Sequence, residues 1–319
     1  MVIQALLIVV GFVLLIKGAD WMVEGASALA KKYNVSDLVI GLTIVAFGTS
    51  APELVVNSVA SLQHHSDIVF GNVLGSNIAN LFLILGIVGV IYPITVPSFT
   101  VWKEIPIAVF VLVLLYFLAN SFSPQQISFL TRIDGIVLLL VFCVFMFYVF
   151  RQMKANKEEP EPIQLKHLPA WKITGLIVFG LAGLIAGGKL VVDNAVALAV
   201  AIGISEKIAG LTIVAIGTSL PELVTSVVAA TKNKSDIAFG NIIGSNIFNV
   251  LLILSVSAII NPVVYNTSFN TELLLLIAGT LILFIAMFTG GRRKLDRPEA
   301  IVLLLIYIAY TSWLISREI

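Results

Sequence analysis

Two short segments carry the residues with the strongest chemical signature. Gly48-Thr49-Ser50-Ala51-Pro52-Glu53 and Gly217-Thr218-Ser219-Leu220-Pro221-Glu222 each lie near the middle of a long hydrophobic run. A proline there has no amide hydrogen and clashes with the preceding turn, so a helix kinks or breaks and backbone carbonyls are freed. The carbonyls of Ala46, Thr49, Ala215 and Thr218 are the candidates for release, and Ser50, Glu53, Ser219 and Glu222 add side-chain oxygens one turn apart. Such oxygens in hydrocarbon are unfavourable unless water or a cation meets them, and a hard cation binds them well. No Lys, Arg or His of the same span can pair with either glutamate. Two buried carboxylates therefore need positive charge. Protonated structural acids in a kinked apolar helix are the competing reading, disfavoured by the symmetric placement of both groups beside a predicted break.

A second pair of segments, GNVLGSNIAN and GNIIGSNIFN, places Asn72, Ser76 and Asn80 at four-residue spacing, matched by Asn241, Ser245 and Asn249. That spacing puts them on one helical face. Gly71, Gly75, Gly240 and Gly244 read as small-residue packing positions, but six polar side chains on the two faces exceed what packing needs. Ser76, Asn80, Ser245 and Asn249 are the expected oxygen ligands, with Asn72, Asn77, Asn241 and Asn246 as helix-break or supporting groups. Thr225 and Ser226, opposite Val56 and Asn57, are candidates for lining a pathway. Asp20, Glu24, Lys189 and Asp193 lie towards span ends, where pairing with each other or with interfacial water is expected. His64, His65 and His167 fall in predicted loops, which argues against an imidazole metal site or a histidine proton relay.

The elements that position these groups follow from composition. Of 319 residues 59% are hydrophobic and 12% charged, and the mean hydropathy is +1.06, which a soluble surface of this size does not tolerate. A net charge of +1 offers no basic surface for nucleic acid, and the single Cys143 allows no intrachain disulfide or multi-cysteine metal site. At about 20 residues per crossing, ten spans are predicted, near 2–30, 38–62, 68–91, 103–119, 128–150, 172–200, 207–231, 237–260, 271–289 and 299–316. The first lacks a basic leader and a small-residue cleavage site, and reads as a retained helix. Fourteen Lys and Arg residues fall in the loops after spans one, three, five, seven and nine. The positive-inside rule makes that face cytoplasmic and puts both termini outside. Residues 152–171, rich in charge and proline, read as a cytoplasmic linker between a first half at 1–151 and a second at 172–319.

The halves repeat. GLTIVAFGTSAPELV at 41–55 and GLTIVAIGTSLPELV at 210–224 are identical at 13 of 15 positions, and the segments at 70–86 and 239–255 at 11 of 17. Both pairs share the offset 169, so the repeat motifs are 41–86 and 210–255. Five spans per copy is an odd number, so the second copy enters the membrane from the opposite side. The expected fold is an all-α polytopic membrane protein of ten helices in two inverted five-helix repeats, an architecture whose substrate sites form at mid-depth from discontinuous helices.

The paired GTSxPE and GNxxGSNxxN motifs, in inverted repeats of five helices, resemble the alpha-repeats of the cation/Ca²⁺ exchanger superfamily, especially its prokaryotic Na⁺/Ca²⁺ exchanger-like branch. The resemblance covers essentially the whole chain. It implies ions held between helices two, three, seven and eight: carboxylate ligands at Glu53 and Glu222, hydroxyls at Ser50, Ser76, Ser219 and Ser245, carbonyls at Ala46, Thr49, Ala215 and Thr218, and the remaining positions at Asn80 and Asn249. One departure is Asn249, an aspartate in some archaeal members and in the K⁺-dependent branch; without a third carboxylate K⁺ co-transport is disfavoured. The implied activity is secondary antiport of Na⁺ against Ca²⁺ by alternating access; helices one and six, which lack motif residues and match by the repeat, are the expected moving pair. H⁺/Ca²⁺ antiport is the alternative. A cation channel is disfavoured further, as is an intramembrane hydrolase with the glutamates as paired acids. An organic-anion symporter would need cationic groups that the middles of spans two, three, seven and eight lack. The expected location is the plasma (inner) membrane of a prokaryote. No enzymatic activity, cofactor, nucleic-acid partner or obligate protein partner is expected beyond the ions and the lipid bilayer.

Overall fold

The computed structural model describes residues 2–96, 98–120, 128–155, 168–201, 215–289 and 293–318. The helices are α1 (Val2–Tyr33), α2 (Asp37–Thr49), α3 (Ala51–Leu62), α4 (Ser66–Ile91), α5 (Glu104–Ala119), α6 (Arg132–Ala155), α7 (Ala170–Ala201), α8 (Ala215–Thr218), α9 (Leu220–Thr231), α10 (Ser235–Ile260), α11 (Asn270–Ala286) and α12 (Arg297–Glu318). Hydrocarbon offers no hydrogen-bond partners, so apolar segments of this length satisfy their backbone groups internally as helices. Among the described residues eight helices are long and apolar enough to cross a membrane, and the bent pair α2 and α3 makes a ninth. Span seven is described only from α8 onward. Most of the 152–171 linker lies outside the described residues.

The expectation of an all-helical chain needs one correction. Four short strands occur, β1 (Ile94–Thr95), β2 (Ser128–Leu130), β3 (Val263–Tyr265) and β4 (Lys294–Leu295), paired antiparallel as β1 with β4 and β2 with β3. Pro93 and Pro262, equivalent in the repeat, follow α4 and α10 and cannot extend them. The β-branched residues after each proline pair across loops instead. A repeated turn is equally local in origin. His64 and Asn233, equivalent in the repeat, take φ of 62° and 59°. In each, the next amide reaches back to the carbonyl five residues earlier, His65 to Ala60 at 2.9 Å and Lys234 to Ala229 at 2.8 Å, the left-handed cap that ends a helix and reverses the chain.

The chain forms two compact units, 1–52 with 147–241, and 53–146 with 242–319. In the first, α1 and α7 run antiparallel through glycines. A Cβ on Gly11 would lie 2.9 Å from the Gly187 carbonyl, and one on Gly18 2.7 Å from that of Gly180. The offset of 169 carries Gly11 onto Gly180 and Gly18 onto Gly187, so the two contacts are repeat-equivalent. Small residues at such points allow the backbones to touch, which is how helices associate where lipid supplies no hydrophobic drive. Lys234 pairs with Asp37 at 2.7 Å and Lys232 with Asp20 at 2.5 Å. Asp20 thus meets the loop after span seven, not Lys189 or interfacial water alone. Lys17, Glu24, Lys189 and Asp193 are exposed on their helices. Gly240 fits against the Leu38 carbonyl, 2.7 Å from its would-be Cβ; residues 207 and 210, which the repeat sets opposite Gly71, lie outside the described residues.

In the second unit, α4 meets α12 where a Gly86 Cβ would lie 2.7 Å from Leu304, and α6 meets α10 where a Gly135 Cβ would lie 2.9 Å from the Ser255 carbonyl. These contacts are also repeat-equivalent. The loop after α4 joins the loop before α12, through β1 and β4 and an Arg297 bond to the Val90 carbonyl at 3.1 Å. The loop after α10 joins the segment before α6, through β2 and β3, and Ser66 at the start of α4, whose hydroxyl accepts the Val264 amide at 3.0 Å. Asn120 and Asn270 exchange amide bonds at 2.8 and 2.9 Å, and the Tyr265 hydroxyl donates to Asn270 at 2.8 Å. Burial raises the Tyr265 phenol far above its ordinary range, which keeps it a donor.

Candidate ion-binding site

Ser50 and Ser219 interrupt spans two and seven in nearly the same conformation, φ −84°, ψ 5° and φ −89°, ψ 5°. This bridge region recurs in functional turns. The bend between α2 and α3 is 46°. Local sequence causes it, since Pro52 and Pro221 sit in the first turn of the following helix, the one place a helix accepts proline. One expected consequence does not follow: the Ala46 carbonyl is not released, because it accepts the Ser50 amide at 3.0 Å. The Thr49 hydroxyl also approaches that oxygen at 3.4 Å, so a cation there would share it with both donors. Ala215 and Thr218 open and close the described turn α8.

In the first unit, the Ser50 hydroxyl donates to Glu222 Oε1 at 3.1 Å, a bond between the two repeats. Glu222 is 1% exposed and Ser219 3%. The Thr49 hydroxyl donates to Asn241 Oδ1 at 3.0 Å, while Asn241 Nδ2 donates to Ser226 Oγ at 3.0 Å and to the Glu222 carbonyl at 3.4 Å. Asn241 is therefore the hub that fixes both broken segments against α10. Its own sequence marks it only as polar on the right face; the partners come from other helices. Replacing Asn241 by Ala is expected to cost roughly 1–3 kcal/mol, because the Thr49 and Ser226 hydroxyls lose a buried partner. Thermal unfolding in detergent checks this; a loss below about 0.5 kcal/mol would remove Asn241 from that role.

In the second unit, Glu53 is 1% exposed, on α3. Asn72 Nδ2 donates to Asn57 Oδ1 at 3.2 Å, the repeat counterpart of the bond from Asn241 to Ser226. Asn249 Nδ2 donates to Asn77 Oδ1 at 2.9 Å, and Asn77 Nδ2 to the Asn246 carbonyl at 3.2 Å. Asn72, Asn77 and Asn241 make these bonds from unbroken helix, whereas Asn246 contributes only its backbone carbonyl and its side-chain oxygen has no described partner. Asn80 and Asn249 lie in π-helical turns, Ala79–Ile84 and Asn249–Ile253, with a third at Gly41–Val45. Such wide turns cluster at functional sites, and no simple sequence rule announces them.

The buried oxygens without a described hydrogen-bond partner are informative. Ser76 Oγ, Ser245 Oγ, Asn80 Oδ1 and Asn249 Oδ1 in the second unit, and Ser219 Oγ in the first, all belong to this group. In Asn249 the amide nitrogen is spent on Asn77 and the oxygen is left over. Each such oxygen costs about 1–3 kcal/mol when unsatisfied, and all five are among the oxygens that sequence reasoning assigned to a hard cation. Thr225, also buried, has a hydroxyl without a described partner. Among the described residues no group of three His, Cys, Asp or Glu side chains is placed to hold a metal.

Known proteins resemble this chain over its full length. The model of the family described as sodium/calcium exchanger protein matches residues 3–151 and 172–316. The sodium/calcium exchanger MaX1 of Methanosarcina acetivorans is 33% identical, covering 96% of each chain. The inner membrane protein YrbG of Escherichia coli K12 is 36% identical over 88% of this chain and 89% of its own. A solved structure of the sodium-calcium exchanger NCX_Mj, soaked with Na⁺ and Sr²⁺, superposes with a TM-score of 0.84 at 33% identity, covering 98% of this chain and 99% of that one. The chain belongs to the sodium/calcium exchanger family.

Proposed function

We propose that this protein is a secondary active antiporter that exchanges Na⁺ for Ca²⁺ across the plasma membrane of a prokaryote. The observation that carries the reading is the set of buried oxygens on Ser76, Asn80, Ser219, Ser245 and Asn249 without a described hydrogen-bond partner, in a chain that also buries one glutamate per repeat. Glu53 and Glu222 supply two negative charges when ionised, which one Ca²⁺ or two Na⁺ neutralise; any further Na⁺ rests on neutral oxygens. The ligands are Glu53 and Glu222, the hydroxyls of Ser50, Ser76, Ser219 and Ser245, the amide oxygens of Asn80 and Asn249, and the carbonyls of Ala46, Thr49, Ala215 and Thr218. Calcium accepts about six to eight oxygens, within what this set offers. Because Na⁺ and Ca²⁺ compete for shared ligands, occupancy by one excludes the other, and alternating access turns that competition into exchange. The moving pair is α1 with α7, in contact through their glycines, and neutralised carboxylates are the condition for movement.

Ten crossings, with both termini outside, complete the proposal, as two five-helix halves at 1–151 and 172–319 joined by a cytoplasmic linker at 152–171. The loop contacts support this topology. The loops after spans three and nine meet each other, and those before spans three, five and nine meet each other, as strictly alternating crossings require. No enzymatic step and no cofactor belongs to the mechanism, and the partners are the two ions and the lipid. The relative YrbG carries the name inner membrane protein, which agrees with the proposed location.

The test is radiolabelled Ca²⁺ uptake into proteoliposomes loaded with Na⁺, with and without a pH gradient. Uptake that requires internal Na⁺ and ignores the pH gradient is expected. Uptake that follows only the pH gradient, or no Ca²⁺ movement under either, would overturn the reading.

A further inference from the structure

The two repeats diverge from the third residue after their glutamates. On α3, Glu53, Asn57 and Ser61 stand at four-residue intervals on one face, and they are 1%, 0% and 2% exposed. Their counterparts on α9 are Glu222, Ser226 and Ala230, with Ala229 and Ala230 at 0% and 1% exposure. Polar groups therefore continue to the end of α3 but give way to alanine near the end of α9. The polar face of α3 also has unmet hydrogen-bonding capacity. Asn57 Oδ1 accepts from Asn72, yet Asn57 Nδ2 has no described acceptor. Ser61 donates to the Ser257 carbonyl at 2.6 Å, and the Ser257 hydroxyl, at 0% exposure, has no described partner. Ser257 thus has a buried donor to spare, unlike Ser58 and Thr280, which bond the carbonyls of Leu54 and Leu276 at 2.7 Å.

We infer that Asn57, Ser61 and Ser257 line a water-holding track that leads hydrated cations to Glu53 from the face carrying His64 and His65, whereas α9 has Ala230 in place of Ser61. Water is the occupant that the donors select, because an amide N–H repels a bare cation but donates readily to a water oxygen, and buried waters typically satisfy about three polar groups. The buried track ends close to the surface in sequence. Ser61 is the penultimate residue of α3, followed by the exposed Gln63, His64 and His65, and Ser257 lies one turn before Asn261, the cap of α10. The delivery of cations rests on the exchange function proposed above; the presence of water does not.

Two measurements separate these. In a Cys143→Ser background, single cysteines at Ser61 and at its counterpart Ala230 are exposed in detergent to the charged reagent 2-aminoethyl methanethiosulfonate. Only the thiolate reacts, and a thiol in apolar surroundings stays protonated, so Ser61→Cys should be modified at least about tenfold faster than Ala230→Cys. Equal rates would overturn the track whatever the protein transports. Ser61→Ala and Ser257→Ala should each slow Na⁺-driven Ca²⁺ uptake by about three- to tenfold with little change in the Ca²⁺ concentration giving half-maximal rate, since ordered water is lost from the route and not from the ligands. Fast modification with unchanged uptake in both variants would overturn the role in delivery. If wild-type protein shows no Na⁺-driven uptake, the exchange reading fails while the labelling contrast still decides the track. Should Ser61→Ala not fold, Asn57→Ser, which installs the counterpart residue, carries the uptake test with the same expected slowing.

Discussion

Glu53→Gln and Glu222→Gln are each expected to reduce Na⁺-driven Ca²⁺ uptake at low Ca²⁺ by about a thousandfold or more. Two unit charges about 4 Å apart interact by roughly 4 kcal/mol at an effective dielectric of about 20, which is about three decades in affinity, and the double charge of Ca²⁺ adds to it. Glutamine keeps the shape and one oxygen of glutamate. In Glu222→Gln that oxygen still accepts the hydroxyl of Ser50, so the loss reports charge and not collapse of the turn. A second readout makes the same point. Ca²⁺ at a hundred times its dissociation constant should stabilise the wild type by about 2.7 kcal/mol, through binding to the folded state alone. That stabilisation should vanish in both variants, while their ion-free forms unfold at the same or a higher temperature, because a buried carboxylate without a cation has been removed. Retention of more than about a hundredth of the wild-type flux by either variant, against the thousandfold loss that the Coulomb estimate gives, would remove that glutamate from the ion path.

The second large effect is expected at the crossing of α1 and α7. Gly18→Leu places a Cβ 2.7 Å from both the Gly180 carbonyl and the Leu184 amide. Both are backbone atoms that cannot rotate away, so the helices must separate. Overpacking that flexible side chains can absorb costs about 1–3 kcal/mol. Here the cost should exceed that range, and Na⁺-driven uptake should fall to background. Gly187→Leu, at the repeat-equivalent position, should behave the same way, since its Cβ would meet the Gly11 carbonyl at 2.7 Å. Val13→Leu is the control on the same helix; Val13 is 54% exposed, and its variant should stay within about 0.5 kcal/mol of wild type. The checks are thermal unfolding in detergent and isotope flux. A stable, active Gly18→Leu protein would show that α1 and α7 do not need this backbone contact.

Both predictions begin in features that a reader of the sequence can find. Glu53 and Glu222 are visible because the offset of 169 places each after a proline inside an apolar run. The glycines of α1 and α7 are visible as letters but not as partners. Periodicity says which face of a helix is small, whereas the antiparallel crossing that sets Gly11 against Gly187 exists only once both helices are placed. The same distinction separates Ser50 from Asn241. Ser50 breaks its helix for a reason two residues away, Pro52. Asn241 matters because of Thr49, 192 residues distant, and Ser226, on the preceding helix. Asp20 likewise finds Lys232, a partner that neighbouring charges in its own helix did not suggest.

What the sequence alone determined is what depends on nearby residues or on self-comparison. The membrane class follows from composition, the broken spans from proline, and the internal repeat from two motif pairs at one offset. Tertiary structure decided the pairing of β1 with β4 and of β2 with β3, the π-helical turns that carry Asn80 and Asn249, and the release or retention of individual carbonyls such as Ala46. It also decided which polar atoms are left over. Hydrogen-bond capacity is a property of residue type, but whether Ser76 Oγ or Asn249 Oδ1 remains unpaired depends on every group that reaches it, and those groups arrive from helices far apart in the chain.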